Sequence, residues 1–198
     1  MREKQILALA GALLVAALLI LASPSAADPM KNKTAVDVWE VSCLVDPGIQ
    51  WLSAEGILHV RGRVSQATFY ESGSFDIVGS DTIVSNANLS HVNLDPLTFD
   101  GSLFGTWSAV YLPASNSGTF DGAWHARLTD GGFAVGKAVG QGSGELRGKK
   151  MKLNLVVDPI DDPPPPGLFS ASGFPPCDPS LIVGIIHDTG FVHNPGGK

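Results

Sequence analysis

Leu97-Thr98-Phe99-Asp100-Gly101-Ser102-Leu103-Phe104-Gly105-Thr106-Trp107-Ser108-Ala109-Val110-Tyr111 reads with a period of two. Leu97, Phe99, Leu103, Trp107, Ala109 and Tyr111 fall on one side, with Thr98, Asp100, Ser102, Thr106 and Ser108 on the other. Side chains of an extended chain point alternately to its two faces, so this pattern predicts a strand with one face in a core and one in water. The alternation returns in Phe120, Trp124, Ala126 and Leu128 against Asp121, His125 and Arg127. It returns again in Met151, Leu153, Leu155 and Val157 against Lys150, Lys152 and Asn154. From Leu58 it sets Leu58, Val60, Gly62 and Val64 against His59, Arg61, Arg63 and Ser65. No window from Asp28 onward carries the 3.6-residue apolar period of an amphipathic helix, so the reading is all-β.

Asp81 to Leu94 alternates less cleanly. Its apolar phase moves from Ile83 and Ala87 to Val92 and Leu94, which predicts a bulge or break near Asn86-Ala87-Asn88. A short motif recurs as Ser74-Phe75-Asp76, Thr98-Phe99-Asp100-Gly101 and Thr119-Phe120-Asp121-Gly122, its phenylalanines 24 and then 21 residues apart. That spacing suits successive hairpins of a meander, with each Phe in the core and each Asp in water or capping a turn. Asn32-Lys33-Thr34 and Asn88-Leu89-Ser90 fit the glycosylation pattern, which is too common to carry functional weight.

The two ends of the chain define its compartment and its closure. Arg2 and Lys4 precede a 17-residue uncharged run from Ile6 to Ala22, and Ser25-Ala26-Ala27 supplies small residues before Asp28. This order predicts a signal peptide over residues 1–27, cleaved before Asp28; an uncleaved anchor is the alternative. Export to a secreted, periplasmic or cell-envelope location follows, with no stable membrane span after cleavage. In such an oxidising compartment the two cysteines, Cys43 and Cys177, are expected to form a disulfide. Residues 28–157 then form the β domain, residues 158–180 a proline-rich extended segment, and residues 181–198 a closing strand and tail. Cys43 shares one face of the first strand with Trp39, Val41 and Val45. A bridge from there to Cys177 tethers the last strand beside the first and removes the sheet's edges. The expected fold is an antiparallel β-barrel of about eight strands in a meander, with a β-sandwich as the alternative.

Composition excludes some functions. The formal count of 13 basic against 19 acidic residues becomes 11 against 18, or −7, once Arg2, Glu3 and Lys4 leave with the signal peptide. A domain this acidic does not suit nucleic acid, whose binding relies on clustered Lys and Arg. The densest glycine cluster, Gly140-Gln141-Gly142-Ser143-Gly144-Glu145-Leu146-Arg147-Gly148, is followed by an alternating strand and not by a helix. It therefore reads as a hairpin or bulge and not as a phosphate-cradling loop. The stretch from Thr119 to Val157, where a Gly-x-Phe-x-Gly-x-Trp-like strand precedes Gly-Ser-Gly-Glu-Leu-Arg-Gly, resembles the corresponding hairpins of the allene oxide cyclase and dirigent type of barrel. The resemblance covers about forty residues and implies eight antiparallel strands around an apolar pocket for small hydrophobic molecules. That family's catalytic residues do not map onto this chain.

Candidate chemistry is sparse. The histidines His59, His91, His125, His187 and His193 include no HExxH pair, and there is no Gly-x-Ser-x-Gly elbow. His187, Asp188 and His193 are read as belonging to a solvated tail. No catalytic residue, metal or cofactor is implied. The one local concentration of positive charge is His59, Arg61 and Arg63, which period two puts on a single face as a candidate ligand-binding stripe. The preferred reading is structural, with Asp121 and Asp100 of neighbouring strands as their partners. Three functions remain open: non-catalytic binding of a small hydrophobic or anionic ligand or surface partner, which leads; a cyclase- or isomerase-like enzyme; and a structural or adhesive envelope module.

Overall fold

The computed structural model describes residues 33–94, 97–111, 118–129, 133–158, 168 and 177–195. The predicted signal peptide and most of the proline-rich segment lie outside these residues. Nine strands follow in chain order: β1 (Lys33–Asp46), β2 (Ile49–Leu52), β3 (Leu58–Glu71), β4 (Ile77–Leu94), β5 (Leu97–Tyr111), β6 (Phe120–Leu128), β7 (Ala134–Gly142), β8 (Lys150–Asp158) and β9 (Ile182–His193). From β3 to β9 each strand pairs antiparallel with the next, and β1 lies between β9 and β3. The eight strands other than β2 thereby form a closed barrel, and the sandwich alternative is excluded. Strand β2 is an added piece, paired with the Leu58–Arg61 part of β3 just where β1 has bent away.

The Cys43–Cys177 disulfide is present and enters β9 from the side of β1, as the cysteine count predicted. Strand β9 takes up most of the expected closing strand and tail, reaching His193, because Asp188, Gly190 and Val192 continue its pairing with both β1 and β8. The glycine cluster forms the hairpin between β7 and β8, with one 3-10 turn at Gly144–Leu146. At Gly140 a methyl group would meet the Trp107 ring at 2.6 Å, so the bare backbone there makes room for the indole.

Core packing divides the barrel lengthwise. One end is filled by Phe69, Phe120, Leu146 and Met151, with Tyr111 stacked on Phe69 at 5.2 Å between ring centroids. The other end is lined more thinly by Val60, Ala87 and Leu89 with Leu58, Leu103 and Leu128. A third cluster lies on the outer wall, where Val41, Tyr70 and Ile185 pack under Leu168 of the proline-rich segment. Strand β1 is consequently buried on both faces, with Trp39, Val41 and Cys43 outward and Val38, Glu40 and Ser42 inward. Of the three Phe-Asp motifs, Phe120 enters the core as expected. Phe75 instead turns the chain between β3 and β4 at φ +58° and packs against the outer cluster.

Candidate functional site

The barrel interior is incompletely filled. A cavity of about 640 Å³ lies between the packed end and the thin end. Its walls are mainly apolar, with Ile83, Leu103, Trp107, Trp124, Leu153 and Leu155 among them. The Trp107 indole N–H donates to the Ala123 carbonyl at 3.3 Å, whereas the Trp124 indole N–H has no partner among the described residues. A second hollow of about 540 Å³ lies against strands β1, β3, β4 and β5 beside the disulfide, with hydroxyls of Thr68, Ser80, Thr82 and Ser108 on its wall.

Two charged features face the cavity. The first is a carboxyl cluster: Glu40 from β1, Asp81 from β4 and Asp188 from β9, only 4 %, 8 % and 1 % exposed. Burial pushes the Asp81 carboxyl up to about 8 and that of Asp188 to about 7, the charge of Asp188 adding to the rise at Asp81. Burial likewise holds Glu40 well above the usual carboxylate range, reinforced by the charges of Asp81 and Asp188 and by its hydrogen bond with Asp188. That bond raises Glu40 and lowers Asp188. Among the described residues, one oxygen on each of the three carboxyls, Glu40 Oε1, Asp81 Oδ1 and Asp188 Oδ1, has no hydrogen-bond partner. Burial, and then the charges of this cluster, push the Tyr111 hydroxyl upward, which keeps it protonated; it donates to Met151 Sδ at 3.9 Å.

The second feature is Arg63, and it corrects the predicted stripe. Gly62 adopts φ +66°, and the pairing of β3 with β4 shifts between Val60 and Arg63. Arg61 and Gly62 together oppose Asn86, whose side-chain oxygen accepts from the Gly62 N–H at 3.1 Å. This glycine bulge advances the alternation by one residue, so Arg63, Ser65 and Phe69 face the cavity while His59 and Arg61 stay outside. The bulge foreseen near Asn86 exists, but its extra residue is on β3. A separate register shift between β4 and β5 falls between Ser90 and Asn93.

Outside, Arg61 is fully engaged, and not by the expected aspartates. Its Nη1 donates to the carbonyls of Val60 and Ala87 at 2.7 and 2.8 Å, and its Nη2 to Asn88 Oδ1 at 2.7 Å. The guanidinium lies 5.5 Å from the Trp51 ring centroid and 5.7 Å from that of Phe104. His59 stacks on Trp51 and shares a 2.8 Å hydrogen bond with Asn88. Asp121 accepts instead from Ser108 and Thr119, each at 2.6 Å. Arg63 differs from all of these. It is half-buried, burial lowers its affinity for its proton, and among the described residues nothing hydrogen-bonds or ion-pairs with its guanidinium.

His187, Asp188 and His193 lie in β9 and not in a tail, and Asp188 points inward while His187 points outward. His187 stacks on Trp39 at 4.4 Å and pairs with Asp37 at 2.8 Å. Among the described residues no group of His, Cys, Asp and Glu has metal-binding geometry, and no helix is long and apolar enough to cross a membrane. The carboxyl cluster was missed by the sequence reading. Its signal was present, since Asp81 shares the parity of Ile83, Ala87 and Leu89, and Asp188 that of Ile186. No protein-family model matches the chain, and neither a curated protein nor a solved structure matches it.

Proposed function

We propose that this protein is an exported, non-catalytic binding module that holds one small, largely apolar molecule inside its barrel. The observation that carries the reading is the 640 Å³ cavity within a closed eight-stranded wall. Barrels of this size either fill their interior with side chains or hold one small ligand, and a mostly apolar pocket with a few convergent polar groups is the usual form of a ligand site. Export rests on the leader pattern and fits the disulfide. The test is native mass spectrometry of protein from a secreting host, with displacement of the neutral probe N-phenyl-1-naphthylamine as a second measurement. The cavity-filling variant Ala138→Leu should stay folded and lose both the co-purifying mass and the probe. Wild type that binds no apolar probe would overturn the reading.

A second reading, an isomerase- or cyclase-like enzyme on the same class of molecule, is favoured by one observation. Asp81 and Asp188 hold protons near neutral pH while facing an apolar cavity, as a general acid must. An isomer of the bound molecule formed by wild type and not by Asp81→Asn would establish it. The structural or adhesive reading, which would use the proline-rich segment as a free spacer, is not favoured by Leu168, which is wholly buried against the barrel's outer wall.

A further inference from the structure

The cavity contains one charge that cannot be neutralised internally. A buried carboxyl relieves itself by taking up a proton, and the three acids of the cluster do so. A guanidinium does not lose its proton in proteins, so a half-buried arginine gains from an anion or from hydrogen-bond acceptors that replace its lost water. Arg63 has neither among the described residues. The cluster does not serve it: Arg63 opposes Ser85, whereas Asp81 opposes Ala67 four residues along β3, roughly 13 Å away at strand rise. Arg63 faces inward only because Gly62 inserts an extra residue, and bulges of this kind re-aim side chains beside functional sites.

We infer that the ligand is a small amphipathic monoanion, its acidic head bound by the Arg63 guanidinium and its apolar body lying along Trp107 and Trp124. This rests on the cavity-binding reading and adds the ligand's chemical class. Arginine presents parallel N–H donors that match a carboxylate or phosphate edge. A protonated cluster leaves the far part of the cavity neutral, so the three acids do not repel the head. As the cluster ionises it does repel, and release on rising pH follows. Among the described residues, the charged or titratable groups facing the cavity are Glu40 from β1, Arg63 from β3, Asp81 from β4 and Asp188 from β9, with Tyr111 from β5 beside the cluster. The described inward side chains of β6, β7 and β8 are apolar, and His187 acts from outside by lowering Asp188.

The experiment is competition against N-phenyl-1-naphthylamine by decanoate, decyl phosphate, decanol and decylamine, which share one tail. Decanoate or decyl phosphate should compete roughly tenfold or more better than decanol, and whichever anion is stronger identifies the head. Arg63→Met should remove that advantage while still binding the probe and decanol, and Arg63→Lys should restore part of it. Anion affinity should fall between pH 6 and pH 9, less steeply in Asp81→Asn. Equal competition by decanol and both anions, or a preference for decylamine, overturns the inference and leaves cavity binding intact. Failure of the probe itself to bind overturns the cavity reading instead.

Discussion

The inner and outer surfaces of one barrel wall treat charge in opposite ways. Outside, Arg61 is held by two carbonyls, Asn88 and two aromatic rings, Asp121 by two hydroxyls, and His187 by Asp37 and Trp39. Inside, among the described residues, Glu40, Asp81 and Asp188 each keep an unpartnered oxygen and Arg63 has no counter-charge. Arg61 and Arg63 differ in sequence position by two and in circumstance by everything that matters. The difference teaches that the outer polar groups serve the fold, whereas the inner ones are held at a cost to stability.

The largest expected effect tests whether the outer wall is independent of the inner one. Cys43 and Cys177 are 134 residues apart, and loop-closure entropy for that length amounts to about 5 kcal/mol. Cys43→Ser with Cys177→Ser should lose up to this much stability in urea titration, yet the protein that remains folded should bind probe with unchanged affinity. Weakened binding would show that the seam between β1 and β9 also shapes the interior.

Next in size is a pH dependence of stability opposite to that of most carboxyl groups. Unfolded, the three acids titrate near 4; folded, Asp81 titrates at about 8, Asp188 at about 7, and Glu40 well above its usual range. Between those limits the folded state binds more protons than the unfolded state, so stability must fall as pH rises. From about pH 5 to pH 8 the cluster should cost on the order of a few kcal/mol, less whatever water entering the cavity recovers. Asp81→Asn should match wild type near pH 5 and exceed it near pH 8 in melting temperature. Parallel wild-type and mutant curves would remove the contrast between the two faces.

A smaller effect separates the two arginines directly. Arg61→Ala breaks three hydrogen bonds and two ring contacts in a half-buried site and should cost about 2 kcal/mol. Arg63→Met removes an unpaired charge and should be neutral or stabilising in the absence of ligand. Chemical denaturation of both variants checks the pair, and equal losses would place Arg63 in the structural class with Arg61.

The fold was legible because alternation and closure are local and additive. The inward set Leu103, Trp107, Ala109 and Tyr111 is the set that period two selects, and an even cysteine count at the two ends announced the β1–β9 seam. The site was less legible for two physical reasons. Period-two reading assumes apolar means inward, whereas β1 carries Trp39 and Val41 outward under Leu168 and turns Glu40 inward. It also assumes unbroken phase, which a single glycine with positive φ defeats. Of His59, Arg61 and Arg63, the sequence reading correctly singled out the strand but joined residues that lie on opposite sides of the wall.

Gly62 therefore decides which side of the wall Arg63 faces, and its replacement should bring the smallest of the predicted losses of stability. Nothing lies within 4 Å of a methyl group built there, so Gly62→Ala meets no steric obstacle. The cost is backbone alone, a left-handed conformation worth about 1 kcal/mol against alanine and less against asparagine, which tolerates φ > 0. Gly62→Asn should therefore unfold closer to wild type than Gly62→Ala, and both should keep Arg63 inward and retain anion binding. If Gly62→Ala instead relaxes the bulge, the phase of β3 slips by one residue and Arg63 joins Arg61 outside. Anion preference should then vanish while a neutral probe still binds. A modest stability loss without loss of anion preference is the expected result, because eleven β3–β4 pairs on the two sides of the bulge hold the register around Gly62.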